Sequence, residues 1–115
     1  MYRQSLPESF INAWHGIIWG LRVGRNLRLQ LAAFALIILV GIVRSFTVER
    51  WAIILVLGAG VLSLELMNTA LEVLADRLHP EEHIAIGRAK DMAAGAVLCL
   101  SVAAAVVGLL FLVYP

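Results

Sequence analysis

Residues 51–83 read WAIILVLGAGVLSLELMNTALEVLADRLHPEEH, and the reading of this stretch decides the fold. Its first 21 residues, Trp51 to Leu71, contain one charged side chain, Glu65. An α-helix needs about 20 apolar residues to cross a hydrocarbon core of ~30 Å, so the stretch predicts a membrane span with an acid inside it. Glu65, Asn68, Glu72 and Asp76 stand at i, i+3, i+7 and i+11. At 3.6 residues per turn they fall within an arc of roughly 80°, with Thr69 on the same stripe. Such a stripe is costly against lipid and must face protein, water or a ligand. It is read either as a carboxylate site at the membrane boundary, with Glu65 a base and Glu72 and Asp76 holding a hard cation through oxygen, or as polar packing between helices and ion pairing with Arg77, Arg88 and Lys90.

Outward from this stretch the chain stays apolar. Of its 115 residues 62% are hydrophobic and 15% charged, and the mean hydropathy is +0.92. A soluble domain of this size buries only about two thirds of its unfolded surface, too little to hide this much apolar side chain. The formal net charge of +1 excludes the strong basic excess of a nucleic-acid binder. From Met92 to Pro115 run 24 uncharged residues, and 15 lie between Arg28 and Arg44, the latter long enough to cross only if the arginine stems snorkel. Phe10, Trp14, Ile17, Ile18 and Leu21 recur at helical spacing before that segment, as in an amphipathic helix on the membrane surface, capped by Ser9 or with Pro7 and Glu8 in its first turn. A cytoplasmic helix packed on the other three is the competing reading. Cys99 has no intrachain partner and is expected to pack as a small hydrophobe. No removable signal peptide is evident.

The expectation is an all-α integral membrane protein forming a single domain over residues 1–115. A surface helix at about 5–27 precedes spans at 28–47, 50–77 and 88–114, with a loop at 78–87. Arg3, Arg22, Arg25, Arg28, Arg77, Arg88 and Lys90 share one side of the membrane against Arg44 and Arg50 on the other. The positive-inside rule therefore puts the N-terminus and the second loop in the cytoplasm, and the Ser45–Arg50 turn outside.

The third span opens with GRAKDMAAGAVL, residues 87–98. Its Arg88, Lys90 and Asp91 are ordinary interface anchors when taken alone. Beside metal-binding carboxylates, a lysine and an arginine supply what phosphoryl transfer needs, which is positioning and charge neutralisation around phosphates. No GxxxxGK[ST] stretch occurs, so a P-loop is excluded. HPEEH fits H-x-x-E-H through His79, Glu82 and His83, but Pro80 argues against one helix carrying both histidines. Gly16 and Gly20 form G-x-x-x-G in an amphipathic segment, a weak dimerisation signal, and His15 is read as a polar-face residue.

ELMNTALEVLAD (65–76) and GRAKDMAAGAVL (87–98) resemble the signature segments of the prokaryotic diacylglycerol kinase family. SFINAWHGIIWGLR (9–22) and RNLRLQ (25–30) look like that family's N-terminal helix and the start of its first span. The Ala93–Val97 run and the Arg25-Asn26 pair look more like the undecaprenol kinase branch than the diacylglycerol branch. The resemblance implies a homotrimer with sites shared between subunits, placed in the bacterial inner (plasma) membrane and using Mg2+ and ATP to phosphorylate a lipid hydroxyl. It implies Glu65 as catalytic base, Asn68 and Ala94 beside the lipid, and Glu72 as metal carboxylate. Glu72, Glu81, Glu82, His83, Lys90 and Asp91 would contact the nucleotide. Where the family carries a second metal-binding glutamate before the Arg-Asn pair this chain has Gly24, and Ser9 and Gly16 replace larger nucleotide-contacting side chains.

The expected function is thus a lipid kinase acting on undecaprenol, with diacylglycerol as the alternative acceptor. Two readings of other classes stand beside it. One is a catalytically impaired relative that lacks a metal carboxylate at Gly24 and binds nucleotide or lipid without efficient turnover. The other is a small proton-coupled carrier using Glu65.

Overall fold

The computed structural model describes residues 4–114, which form four helices in chain order. These are α1 (Leu6–Val23), α2 (Arg25–Val43), α3 (Val48–Leu78) and α4 (Ile84–Val113). The last three are long and apolar enough to cross a membrane. Arg3, counted among the N-terminal cations, lies outside the described residues.

α1 starts at a capping box rather than at Ser9. The Ser5 hydroxyl accepts from the Glu8 backbone N–H at 3.4 Å, and the Glu8 carboxylate accepts from Ser5 N at 2.8 Å, with Pro7 inside the first turn. The Ser5 backbone N–H and then its hydroxyl hold the Glu8 carboxyl below its ordinary value of 4.5. A depressed carboxyl adds stability above its unfolded pKa and loses it as pH falls through the folded one. Amide protection at the start of α1, taken relative to the intrinsic exchange rate at each pH, is therefore expected to fall as pH drops below 4.5, and Ser5→Ala to remove that loss.

The break between α1 and α2 falls at Gly24, earlier than the expected boundary at 27. Gly24 is extended (φ −92°, ψ 102°), its N–H closing α1 on Gly20 O. Arg28 turns back onto the preceding helix. Its Nη1 donates to Leu21 O and Arg22 O at 2.8 and 3.0 Å, satisfying the carbonyl end of α1. The turn after α2 occupies 44–47, with Ser45 at a positive φ of 52°, and Thr47 caps α3 by accepting from Arg50 N. The second loop shrinks from the expected 78–87 to 79–83, because the His83 ring accepts from Ala85 N and starts α4 at Ile84. His79 closes α3 and His83 opens α4, so no helix carries both members of H-x-x-E-H.

α3 is the central element and packs against each of the other helices. At Gly58 any side chain would run into the Phe34 ring of α2. At Gly20 it would run into Leu66, which leaves Gly20 as a crossing point of α1 on α3 while Gly16 faces open space. Few apolar side chains are buried. Leu39, Val56 and Leu109 are 56%, 73% and 61% exposed, and no large side chain among the described residues is fully enclosed. Cys99, expected to pack as a small hydrophobe, lies on the exposed apolar surface of α4. This surface suits a hydrocarbon solvent and not water.

Candidate active site

The face of α3 that carries the polar stripe is also the face it buries. Glu65, Asn68 and Thr69 are the buried polar residues among those described, with Glu65 4% exposed. Glu65 and Asn68 form one wall of a cleft of about 250 Å3, which Asn26 and Gln30 of α2 and Ala94 and Ser101 of α4 complete. Three helices from distant parts of the chain thus converge on one carboxylate.

The stripe continues along α3 away from the cleft. Asn68 Nδ2 donates to Glu72 Oε1 at 3.4 Å, while Asn68 Oδ1 is buried with no partner among the described residues. One turn further, Lys90 Nζ of α4 donates to Asp76 Oδ1 at 2.8 Å, so Asp76 takes the ion-pairing role rather than standing as a second metal ligand. Arg77 and Arg88, the other cations expected to pair with the stripe, are exposed. Asp76 and Lys90 then form the edge of a cavity of about 650 Å3 between the ends of α3 and α4. Glu81, Glu82, His83 and Asp91 line it, together with His79, whose Nδ1 lies 2.8 Å from Glu81 O and whose ring meets that of His83 edge-on. Every residue expected in the loop or at the start of α4 to touch nucleotide therefore borders one cavity. Ala94 borders the other, beside Glu65.

Among the described residues no group of three or more His, Cys, Asp or Glu side chains is arranged to hold a metal ion. A smaller set of hard oxygen donors remains, the Glu72 carboxylate, toward which Asn68 turns its amide N–H and not its buried oxygen. That set fits magnesium, which is commonly bound by one or two carboxylates with water and phosphate oxygens filling the rest of its shell. The loop cavity points the same way. Asp76, Glu81, Glu82 and Asp91 face a single lysine there, so a polyanion is repelled unless a cation accompanies it.

Gly24 adds no oxygen to this set and has little room for one. A Cβ at this position would lie 2.9 Å from Gly20 O and 3.2 Å from Thr69 Oγ1. Its backbone angles suit any residue, so the obstacle is space. Gln30, Ser101 and Asn26 were not singled out from sequence as site residues. Their signal was polarity at or within the ends of apolar segments, visible only once α2 and α4 are set against α3.

Comparison with known proteins agrees with the resemblance in the signature segments. Residues 11–112 match the family described as prokaryotic diacylglycerol kinase. The chain is 37% identical over 103 residues to the undecaprenol kinase of Bacillus subtilis (strain 168), covering 90% of this chain and 84% of that protein. It is 32% identical over 112 residues to a diacylglycerol kinase of Synechocystis sp., covering 96% of this chain and 64% of that longer protein. A match running from α1 almost to the end of α4, over three helices able to span a membrane, places this chain in the prokaryotic diacylglycerol kinase family as a membrane lipid kinase.

Proposed function

We propose that the chain transfers the γ-phosphoryl group of magnesium-bound ATP to the hydroxyl of undecaprenol, with Glu65 as the base. The observation that carries this reading is the order of groups along α3. A buried carboxylate sits in a cleft among membrane helices, followed by Glu72, hydrogen-bonded by the Asn68 amide, and then by a charged cavity at the helix ends. Lipid and nucleotide would thus approach the stripe from opposite directions. The cleft lies where a lipid alcohol can enter sideways, and the cavity where a water-soluble nucleotide can enter from the loop.

In this mechanism the acceptor hydroxyl enters the cleft between Asn68 and Ala94 and gives its proton to a Glu65 oxygen. The hydroxyl oxygen bonds to the γ-phosphorus as the bond to the β,γ-bridging oxygen breaks, and ADP leaves with that electron pair. Glu72 would hold magnesium, which when bound neutralises phosphate charge. Lys90 and Asp91, with Glu81, Glu82 and His83 from the loop, orient the nucleotide; Lys90 is itself held in place by Asp76. The 37% identity to an undecaprenol kinase supports the choice of acceptor, and diacylglycerol is the second reading. The exposed apolar faces of α2, α3 and α4 support assembly into a homotrimer in the bacterial inner membrane. There α1 lies on the surface, and the N-terminus and the 79–83 loop are cytoplasmic.

The test is magnesium-dependent transfer of label from γ-labelled ATP to undecaprenol and to diacylglycerol, side by side, by protein in detergent or a lipid cubic phase. Transfer to undecaprenol at the higher kcat/KM is the expected result; transfer to neither overturns the reading. The impaired-relative reading rests on Gly24 and is separated by Gly24→Glu. The crowding at Gly24 predicts a variant destabilised by about 1–3 kcal/mol, the usual cost of overpacking, with a lower Tm and no gain in turnover. A gain of orders of magnitude would instead identify the natural chain as impaired.

A further inference from the structure

Two cavities of the bundle meet at one pair of side chains. The cleft beside Glu65 and an apolar groove of about 400 Å3 have Gln30 and Ser101 in both their walls. Gln30 Nε2 of α2 donates to Ser101 Oγ of α4 at 3.3 Å, across 71 positions of sequence. α2 and α4 each pack chiefly on α3, so this bond is a tie across the opening between them. Beyond the tie the groove follows α4 from Ser101 to Leu112, about 16 Å at 1.5 Å rise per residue. Phe34 and Ile37 face it from α2, and Ala104 and Ala105 from α4.

The chemistry of this junction is selective. Within a membrane bundle a polar side chain without a partner is costly, and Gln30 and Ser101 supply one to each other. A plain hydrocarbon lying against the closed pair does not compete for the Gln30–Ser101 bond. An acceptor with ester carbonyls at this level has to part the pair before it gains a bond, and one with two chains has to widen an opening that the tie holds. The groove adjoins the cleft at Gln30 and Ser101 and is otherwise lined by apolar side chains, which suits a hydrocarbon tail as its occupant.

We propose that Gln30 and Ser101 determine acceptor specificity, forming a polar waist past which a single ester-free chain runs from the hydroxyl at Glu65 into the groove between α2 and α4. The inference rests on the lipid-kinase reading above and narrows its substrate class to long single-chain alcohols.

The test is the ratio of kcat/KM for undecaprenol to that for dioleoylglycerol, measured for the natural chain, Ser101→Ala, Gln30→Leu and the exchanged pair Gln30→Ser with Ser101→Gln. Opening the waist is expected to move the ratio toward dioleoylglycerol by about tenfold in each single variant, the scale on which small pocket changes discriminate substrates. The exchanged pair, which restores the tie, is expected to return it. A ratio unmoved in both single variants overturns the proposal whatever their absolute rates, since a merely structural tie affects both acceptors alike. That result is also expected if a neighbouring helix rather than a lipid chain fills the groove. A shift toward undecaprenol overturns it equally. Failure of the natural chain to phosphorylate either lipid removes the kinase reading itself, and the same assay shows which of the two has failed.

Discussion

Glu65→Gln is expected to lower phosphoryl transfer by about 10²–10⁴-fold, the usual contribution of a positioned general base. The substitution keeps side-chain size and polarity while removing the proton acceptor, so its effect is expected in kcat. Glu65 is buried beside Asn68 and Ala94 in a cleft that three helices build. A neutral amide there is not harder to bury than a carboxylate, and the Tm of the variant is expected to equal or exceed that of the natural chain. Turnover within a few-fold of natural in well-folded protein would remove Glu65 as the base. Its cleft would then be only a lipid-positioning site.

Glu72→Gln is expected to have the second largest effect, read out in magnesium rather than in lipid. Glu72 is the carboxylate joined to Asn68, and Gly24 supplies no second one. The half-saturating magnesium concentration should therefore rise by at least about 10–100-fold, the loss that removal of even an outer partner of a metal ligand causes. Asp76→Asn is the contrast. Asp76 is exposed and pairs with Lys90, and exposed pairs are worth about 0–1 kcal/mol, so its magnesium dependence should stay near natural. Equal magnesium shifts in the two variants would mean that the cation binds at the helix ends and not beside Asn68.

Much of the site was legible in sequence because one helix carries it. The i, i+3, i+7, i+11 spacing of Glu65, Asn68, Glu72 and Asp76 fixes a face whatever surrounds it, and a membrane span cannot leave that face to lipid. Contacts between helices were less legible. Nothing in the spacing says that Lys90 meets Asp76 rather than Glu72, or that Gln30 finds Ser101, since each joins residues on different helices. Helix ends were misjudged where glycine and side-chain caps decide them. Ser5 and Glu8 make a capping box that the S-x-x-E pattern announces, which puts Pro7 and Glu8 in the first turn, the second of the two starts open in the sequence. Gly24 ends α1 early because space beside Gly20 and Thr69, not propensity, governs that position.

The end of the bundle formed by residues 44–47 is finished by two backbone carbonyls of α4. Arg44 Nη2 reaches Leu112 O at 3.2 Å, and Arg50 Nη1 reaches Phe111 O at 3.3 Å with its guanidinium over the Phe111 ring. During synthesis Arg44 and Arg50 are made 68 and 61 residues before those carbonyls, some seconds at roughly 5–20 residues per second. Arg50 meets the Phe46 ring within its own hairpin, whereas the two carbonyl contacts wait for α4, so the order of translation is matched at this end by an order of closure.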